Sequence, residues 1–242
     1  MIIKTRGIVF KSIKYSETSL IVDIYTEAKG LRKYIVSGVR SKKAKIKPSL
    51  LQVMSLVEMV AFDREDRDLN RIKELRPTYI YQQVPFDLRR GAVGLFMAEV
   101  ARKTIRESEE NPRLFQFLFD TFTHLDRTNT PVSNLHLSFL LDLSMYLGFM
   151  PGGFCTPEHP IFDLQEGIFV SESPTQPHVL SDTASQLLSQ LLQTSVEDCH
   201  NVAMQRRERQ LLVRHLLDYY RLHLENFPEI NAHRVLQEVL EG

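Results

Sequence analysis

The chain has 242 residues, 43% of them hydrophobic and 25% charged, the balance of an ordinary globular protein with room for one large domain or two small ones. No apolar run approaches the ~18 residues a membrane span needs, and the opening MIIKTRGIVF lacks the apolar stretch and cleavage site of a signal peptide, so a cytoplasmic protein is expected. The formal net charge of zero hides a split: residues 1–80 hold 17 Lys and Arg against 9 Asp and Glu, a net +8, and the rest of the chain carries −8.

The basic part comes first and reads as five strands. GIVFKSI, SLIVDIYT, LRKYIVSG, LQVMSLVEMVAF and NRIKELR are rich in Val, Ile, Leu, Tyr and Phe and are separated by polar or turn-like breaks. In the second of them Leu20, Val22 and Ile24 make one apolar face, and TEAKG (26–30) is a tight turn. A small five-stranded domain closes most economically as an OB-type Greek-key barrel, with an SH3-like barrel as the competing choice.

After Pro77 and Pro85 the spacing becomes helical: Val93, Met97, Val100 and Thr104 stack, as do Leu114, Leu118, Phe122 and Leu125. Further helices are expected at about 133–148, 182–194, 206–225 and 231–240. The overall expectation is α+β: an OB-fold domain over 1–80, then a helical domain over 81–242. A Pro/Gly-rich irregular insertion at about 149–181 is expected to hold a small hairpin in IFDLQEGIFVSE. The helix over 206–225 reads as core packing rather than as a membrane or DNA contact, with Leu212, Leu216 and Tyr219 on its apolar stripe.

Phosphate loops, dinucleotide fingerprints, nucleophile elbows and H-E-x-x-H are all missing, which lowers the case for an enzyme. The acidic run DREDRDLNR (Asp63, Glu65, Asp66, Asp68) is interleaved with arginines that compete for its carboxylates, so it reads as a solvated turn rather than a metal site. Cys155 and His159 have a zinc-like spacing but lack a full tetrahedral set, and with Cys199 the only other cysteine, free thiols in a reducing compartment are expected. Neither a metal nor another cofactor is expected.

The feature that points to function is GVRSKKAKIKPSLLQ (38–52), with Arg40, Lys42, Lys43, Lys45 and Lys47 and no acidic residue. It falls between two expected strands of an already basic domain, where Lys11, Lys14, Lys29, Arg32 and Lys33 supply further charge. Together these residues suit a phosphate-tracking groove, with Tyr15, Tyr25 and Tyr34 as candidate base-stacking platforms among ordinary strand aromatics. Nothing in the stretch reads base edges, so sequence-independent binding is expected.

Residues 15–52 closely resemble the N-terminal domain of the bacterial recombination mediator family RecO. The likeness rests on Tyr15-Ser16-Glu17-Thr18, the turn residues Thr26, Glu27 and Gly30, the basic-loop residues Gly38, Arg40, Ser41 and Lys42, and the closing Leu51-Gln52. LGFMP (147–151) and GIFV (167–170) are similar to the family in layout. The resemblance implies an OB-fold joined to a helical domain in a nucleoid-associated protein. It also implies binding of single- and double-stranded DNA, annealing of strands coated by single-stranded-DNA-binding protein, and cooperation with RecR in placing RecA. Two departures stand out. Cys155 stands alone where many relatives carry paired C-x-x-C motifs, so no zinc ribbon is expected; and Leu137 and Ser138 stand before Phe139 where some relatives have an arginine pair near the site for that protein's acidic tail. An RNA- or ribosome-associated OB-fold adaptor is the rival reading, and a metal-dependent nuclease a third.

Overall fold

The structure, a computed structural model, describes residues 1–39, 41, 44–64, 67–106, 109–171 and 178–241. Five strands come first: β1 (Ile2–Lys14), β2 (Leu20–Thr26), β3 (Gly30–Val36), β4 (Leu56–Phe62) and β5 (Asn70–Pro77). They close into a barrel in the order β1-β2-β3-β5-β4, with β4 returning to β1. Only β3 and β5 pair in parallel. That arrangement is the OB topology and decides against the SH3-like alternative.

Period-two alternation builds this barrel. On β2, Val22 and Ile24 point inward and are fully buried, with Leu20 packed against the same core. On β1, Ile3 and Thr5 turn inward while Lys4 and Arg6 face out, so the strand begins at Ile2 rather than at Gly7. Gly7 is required where β1 passes β2, since a Cβ there would lie 2.6 Å from Ile24 Cγ2. β4 starts later than its apolar run suggests. Pro48 opens a short 3-10 helix over Pro48–Leu51, with extended Lys47 before it, as a proline dictates for its predecessor.

Among the described residues six α-helices follow: α1 (Leu88–Thr104), α2 (Pro112–Arg127), α3 (Leu135–Tyr146), α4 (Asp182–Leu192), α5 (Arg206–His223) and α6 (Ala232–Glu241). The expected small hairpin forms from β6 (Ile161–Asp163) and β7 (Ile168–Val170). The chain divides into two compact units, Met1–Phe86 with Ala98–Arg127, and Asp87–Met97 with Thr128–Gly242.

In the first unit α2 covers part of the barrel. Its Leu114, Leu118, Phe122 and Leu125 form a buried stripe at steps of four, four and three residues. Phe115 stacks on Tyr25, which stacks in turn on Phe10, at centroid distances of 6.2 and 5.9 Å. Arg6 binds both oxygens of Glu27 at 2.6 and 2.9 Å, reaches Gln116, and lies over the rings of Phe115 and Phe119. Near its C-terminus, Asp126 accepts hydrogen bonds from the backbone N–H groups of Gln82, Gln83 and Val84 and from Tyr79 Oη, at 2.7–3.0 Å.

In the second unit α3 is apolar on nearly every side and is buried from Leu135 to Leu141, Phe139 included. Leu212, Leu216 and Tyr219 of α5 are buried, as the core-packing reading of that helix requires. Tyr220 Oη donates to the Leu140 carbonyl at 2.6 Å. A buried polar knot accompanies this packing: Asn134 donates to the carbonyls of Cys199 and Val202, both at 2.9 Å, and its Oδ1 accepts from Arg209 Nε at 2.8 Å. Cys155 and His159 sit at a tight turn, where the backbone N–H groups and carbonyls of Thr156 and His159 bond each other. Cys155 Sγ lies 3.5 Å from the Pro160 carbonyl. Among the described residues no three His, Cys, Asp or Glu side chains come together as a metal site, and no helix is long and apolar enough to cross a membrane.

Candidate nucleic-acid interface

Two tight turns set the strands that carry the interface. Between β1 and β2, Ser16 Oγ accepts from the Ser19 N–H and the Tyr15 N–H donates to the Ser19 carbonyl. Between β2 and β3, Thr26 Oγ1 donates to the Gly30 carbonyl and accepts from the Lys29 N–H, with Gly30 at φ +60°. Ser16 of Y-S-E-T and Thr26 of T-E-x-x-G are thus turn-makers that fix strand register.

The register lines up Lys11, Asp23 and Lys33 as direct cross-strand partners on β1, β2 and β3. Side chains opposed in this way share a face, so two exposed lysines flank a single carboxylate on the outside of the barrel. One step along lies a second outward row: Ile13, Ile21, Ile35, Arg71 and Phe62, each the partner of the next across β1, β2, β3, β5 and β4.

Beyond β3 the chain enters the basic loop. Gly38, at φ +72°, turns it, and its carbonyl accepts from both the N–H and the hydroxyl of Ser41. Val39 and Ile46 are buried in the barrel core and hold the loop down at both ends. Lys45 and Lys47 flank Ile46 and are therefore turned outward and exposed. Arg40, Lys42 and Lys43 lie outside the described residues. Next to the loop is an open cleft of about 460 Å³, lined by Val36, Ser37, Gly38, Ser41, Lys45, Ile46, Phe62, Arg71, Ile72 and Lys73. Three of these side chains are cationic and none is acidic.

Three other cations of the barrel, Lys4, Arg6 and Arg76, are matched. Glu58 takes Lys4 at 3.2 Å and Arg76 at 4.0 Å, and Glu27 takes Arg6. Among the described residues Lys11, Lys14, Lys33, Lys45, Lys47 and Arg71 make no ion pair within 4 Å. Lys73 meets only Glu74, at 3.7 Å with both side chains exposed, an arrangement worth little in water. These cations lie on β1 (Lys11, Lys14), β3 (Lys33) and β5 (Arg71, Lys73) and on the loop after β3 (Lys45, Lys47).

Several sequence expectations change. Tyr34 is not a stacking platform: it points into the barrel, is fully buried and donates to Asp63 Oδ2 at 3.1 Å. Burial, followed by the charge and hydrogen bond of Asp63, pushes its hydroxyl well above the usual tyrosine range. Tyr25 is likewise covered, by Phe10 and Phe115, which leaves Tyr15 the exposed one of the three. Asp63 is a buried partner of that tyrosine, not part of a solvated turn; Glu65 and Asp66 lie outside the described residues. Arg32 is half-buried opposite Ile24, its Nε enclosed without a hydrogen-bond partner among the described residues, so its placement differs from that of Lys33 beside it. Lys14 is exposed at the end of β1. Arg71, Lys73 and Phe62 enter the site unannounced. Their outward alternation with Ile72 and Ala61 is visible in the sequence, but not the parallel β3–β5 pairing that brings them to the loop.

A closed five-stranded barrel with an unneutralised basic face, followed by helices, defines an OB-fold protein of the nucleic-acid-binding type. Family comparison then takes a further step. The family description "Recombination protein O N terminal" matches residues 1–81 and "Recombination protein O C terminal" matches 85–229. The chain is 36% identical over 239 residues to the DNA repair protein RecO of Phocaeicola vulgatus, covering 99% of each, and 37% identical over 243 residues to that of Bacteroides fragilis, covering all of both. The chain belongs to the RecO family of DNA repair proteins.

Proposed function

We propose that this chain is a recombination mediator that performs no covalent chemistry and binds single- and double-stranded DNA through the basic face of its barrel. The observation that carries this reading is the cleft in which Lys45, Arg71 and Lys73 converge with no acidic side chain, beside a loop that adds further lysines. Each phosphate neutralised releases a condensed counterion, so affinity falls steeply with salt, by a log–log slope of about −0.7 per single-strand phosphate contacted. Two strands held against such a face no longer repel each other at full strength, and that repulsion is what opposes annealing. Family membership supports the finer steps: annealing of strands coated by single-stranded-DNA-binding protein and, with RecR, the loading of RecA.

Replacing Lys42, Lys43 and Lys45 together with Glu tests the reading. The variant is expected to keep its thermal melting and to lose most single-strand binding, measured by fluorescence anisotropy at two salt concentrations, together with most annealing of protein-coated strands. Unchanged affinity at both salts would make the loop a bystander.

A further inference from the structure

The outward row across the barrel is more than a list of partners. Ile13, Ile21 and Ile35 form a half-exposed apolar path, bordered on one side by Lys11 and Lys33, which leads at Arg71 into the basic cleft. At its end stands Phe62, 46% exposed, directly opposite Arg71 on β5 and opposite the still more exposed Ile2 on β1. A phenylalanine left nearly half in water on a barrel with its own full core contributes little to folding there. Its ring is the aromatic surface that lines the cleft, together with Lys45, Arg71 and Lys73.

Resting on the DNA-binding reading above, we propose that Phe62 is the base-stacking platform of this site, so that an unpaired base lies on its ring while Arg71, Lys73 and Lys45 take the flanking phosphates. An aromatic face offers stacking to any base, in keeping with a site that has no base-edge readers. Such a platform also discriminates by strandedness. In a duplex the bases are already stacked on one another and turned away from the protein, so the cations still bind phosphate while the ring goes unused. Phe62 therefore adds affinity for single strands alone, and the isoleucine path gives the next bases an apolar surface to lie along.

The sequence contains no tryptophan, which makes Phe62→Trp a unique fluorescent reporter at the position in question. Titration of the full-length Phe62→Trp chain with a short oligothymidylate is expected to quench its emission with the same midpoint that anisotropy gives, while a duplex of equal length binds with little quenching. Phe62→Ala is expected to weaken oligothymidylate binding on the order of tenfold with duplex affinity and thermal melting unchanged. Binding by anisotropy without a change in tryptophan emission, or parent-like single-strand affinity in Phe62→Ala, overturns the assignment of Phe62 and leaves the basic face standing. A parent chain that binds no oligonucleotide at all overturns both.

Discussion

Tyr34 does not hold the place its neighbours suggest. Tyr34 follows Arg32 and Lys33, and adjacency makes it look like part of a basic, base-stacking strand; alternation instead turns it inward. What keeps a tyrosine there is Asp63, 29 residues further on, which accepts a hydrogen bond from its hydroxyl inside the barrel, and that partnership depends on barrel closure rather than on any local pattern. Removing the hydroxyl leaves the Asp63 carboxylate buried without that donor, so Tyr34→Phe is expected to lower stability by about 1–3 kcal/mol while oligothymidylate affinity stays at the parent value. Urea melts and anisotropy on the same preparation check both halves; weakened binding at unchanged stability would return Tyr34 to the interface. The lysines were more legible, because an exposed cation needs no partner to be recognised: Lys11, Lys33, Lys45 and Lys47 are all exposed where alternation and composition put them.

At the level of elements, period-two and period-3.6 patterns were enough to find all five barrel strands and the helices, because each depends on residues close in sequence. The pattern misleads where the backbone turns inside an apolar run, as it does at Met54, whose positive φ of 73° delays β4 to Leu56. Helix α2 shows another limit. Its apolar stripe is plain from sequence, but not the use of Asp126 as a clamp on the chain from Tyr79 to Val84. Burial alone would raise this carboxyl's pKa, yet the N–H groups of Val84, Gln82 and Gln83 and the Tyr79 hydroxyl prevail and hold it below the usual carboxylate range. A lowered folded-state value means that the stabilisation is fully present above the unfolded value near 3.9 and is lost as pH falls through the folded one. Asp126→Asn, which exchanges an acceptor oxygen for a donor, is expected to cost about 2 kcal/mol at pH 7. The gap to the parent should close as both are acidified. Denaturant midpoints from pH 7 down to pH 2 read this directly, and a gap independent of pH would show that the charge is not what clamps the segment.

Across the whole molecule, the opposed charges of the two parts of the chain are an asymmetry that composition reveals and structure localises. The barrel carries the positive excess, but Glu27 and Glu58 neutralise one side of it, so the unmatched charge is narrower than a count of residues implies. Arg71 and Lys73 join it only because β5 runs parallel beside β3, a pairing that no local pattern announces. The family is legible in residues 15–52 and the five-stranded barrel in the strand patterns of residues 1–80; the cleft is not, since its walls come from three separate stretches of chain. The central claim is that this unmatched side of the barrel, rather than positive charge anywhere on the molecule, holds DNA. Its most direct test is the salt dependence of oligothymidylate affinity for a Lys45→Ala, Arg71→Ala, Lys73→Ala variant beside a control carrying Arg207→Ala and Arg214→Ala on the exposed side of α5. The log–log slope of the triple variant should be shallower than the parent's by about 2, at about 0.7 per lost phosphate contact, with the control unchanged; equal slopes for the parent and the triple variant would contradict the claim.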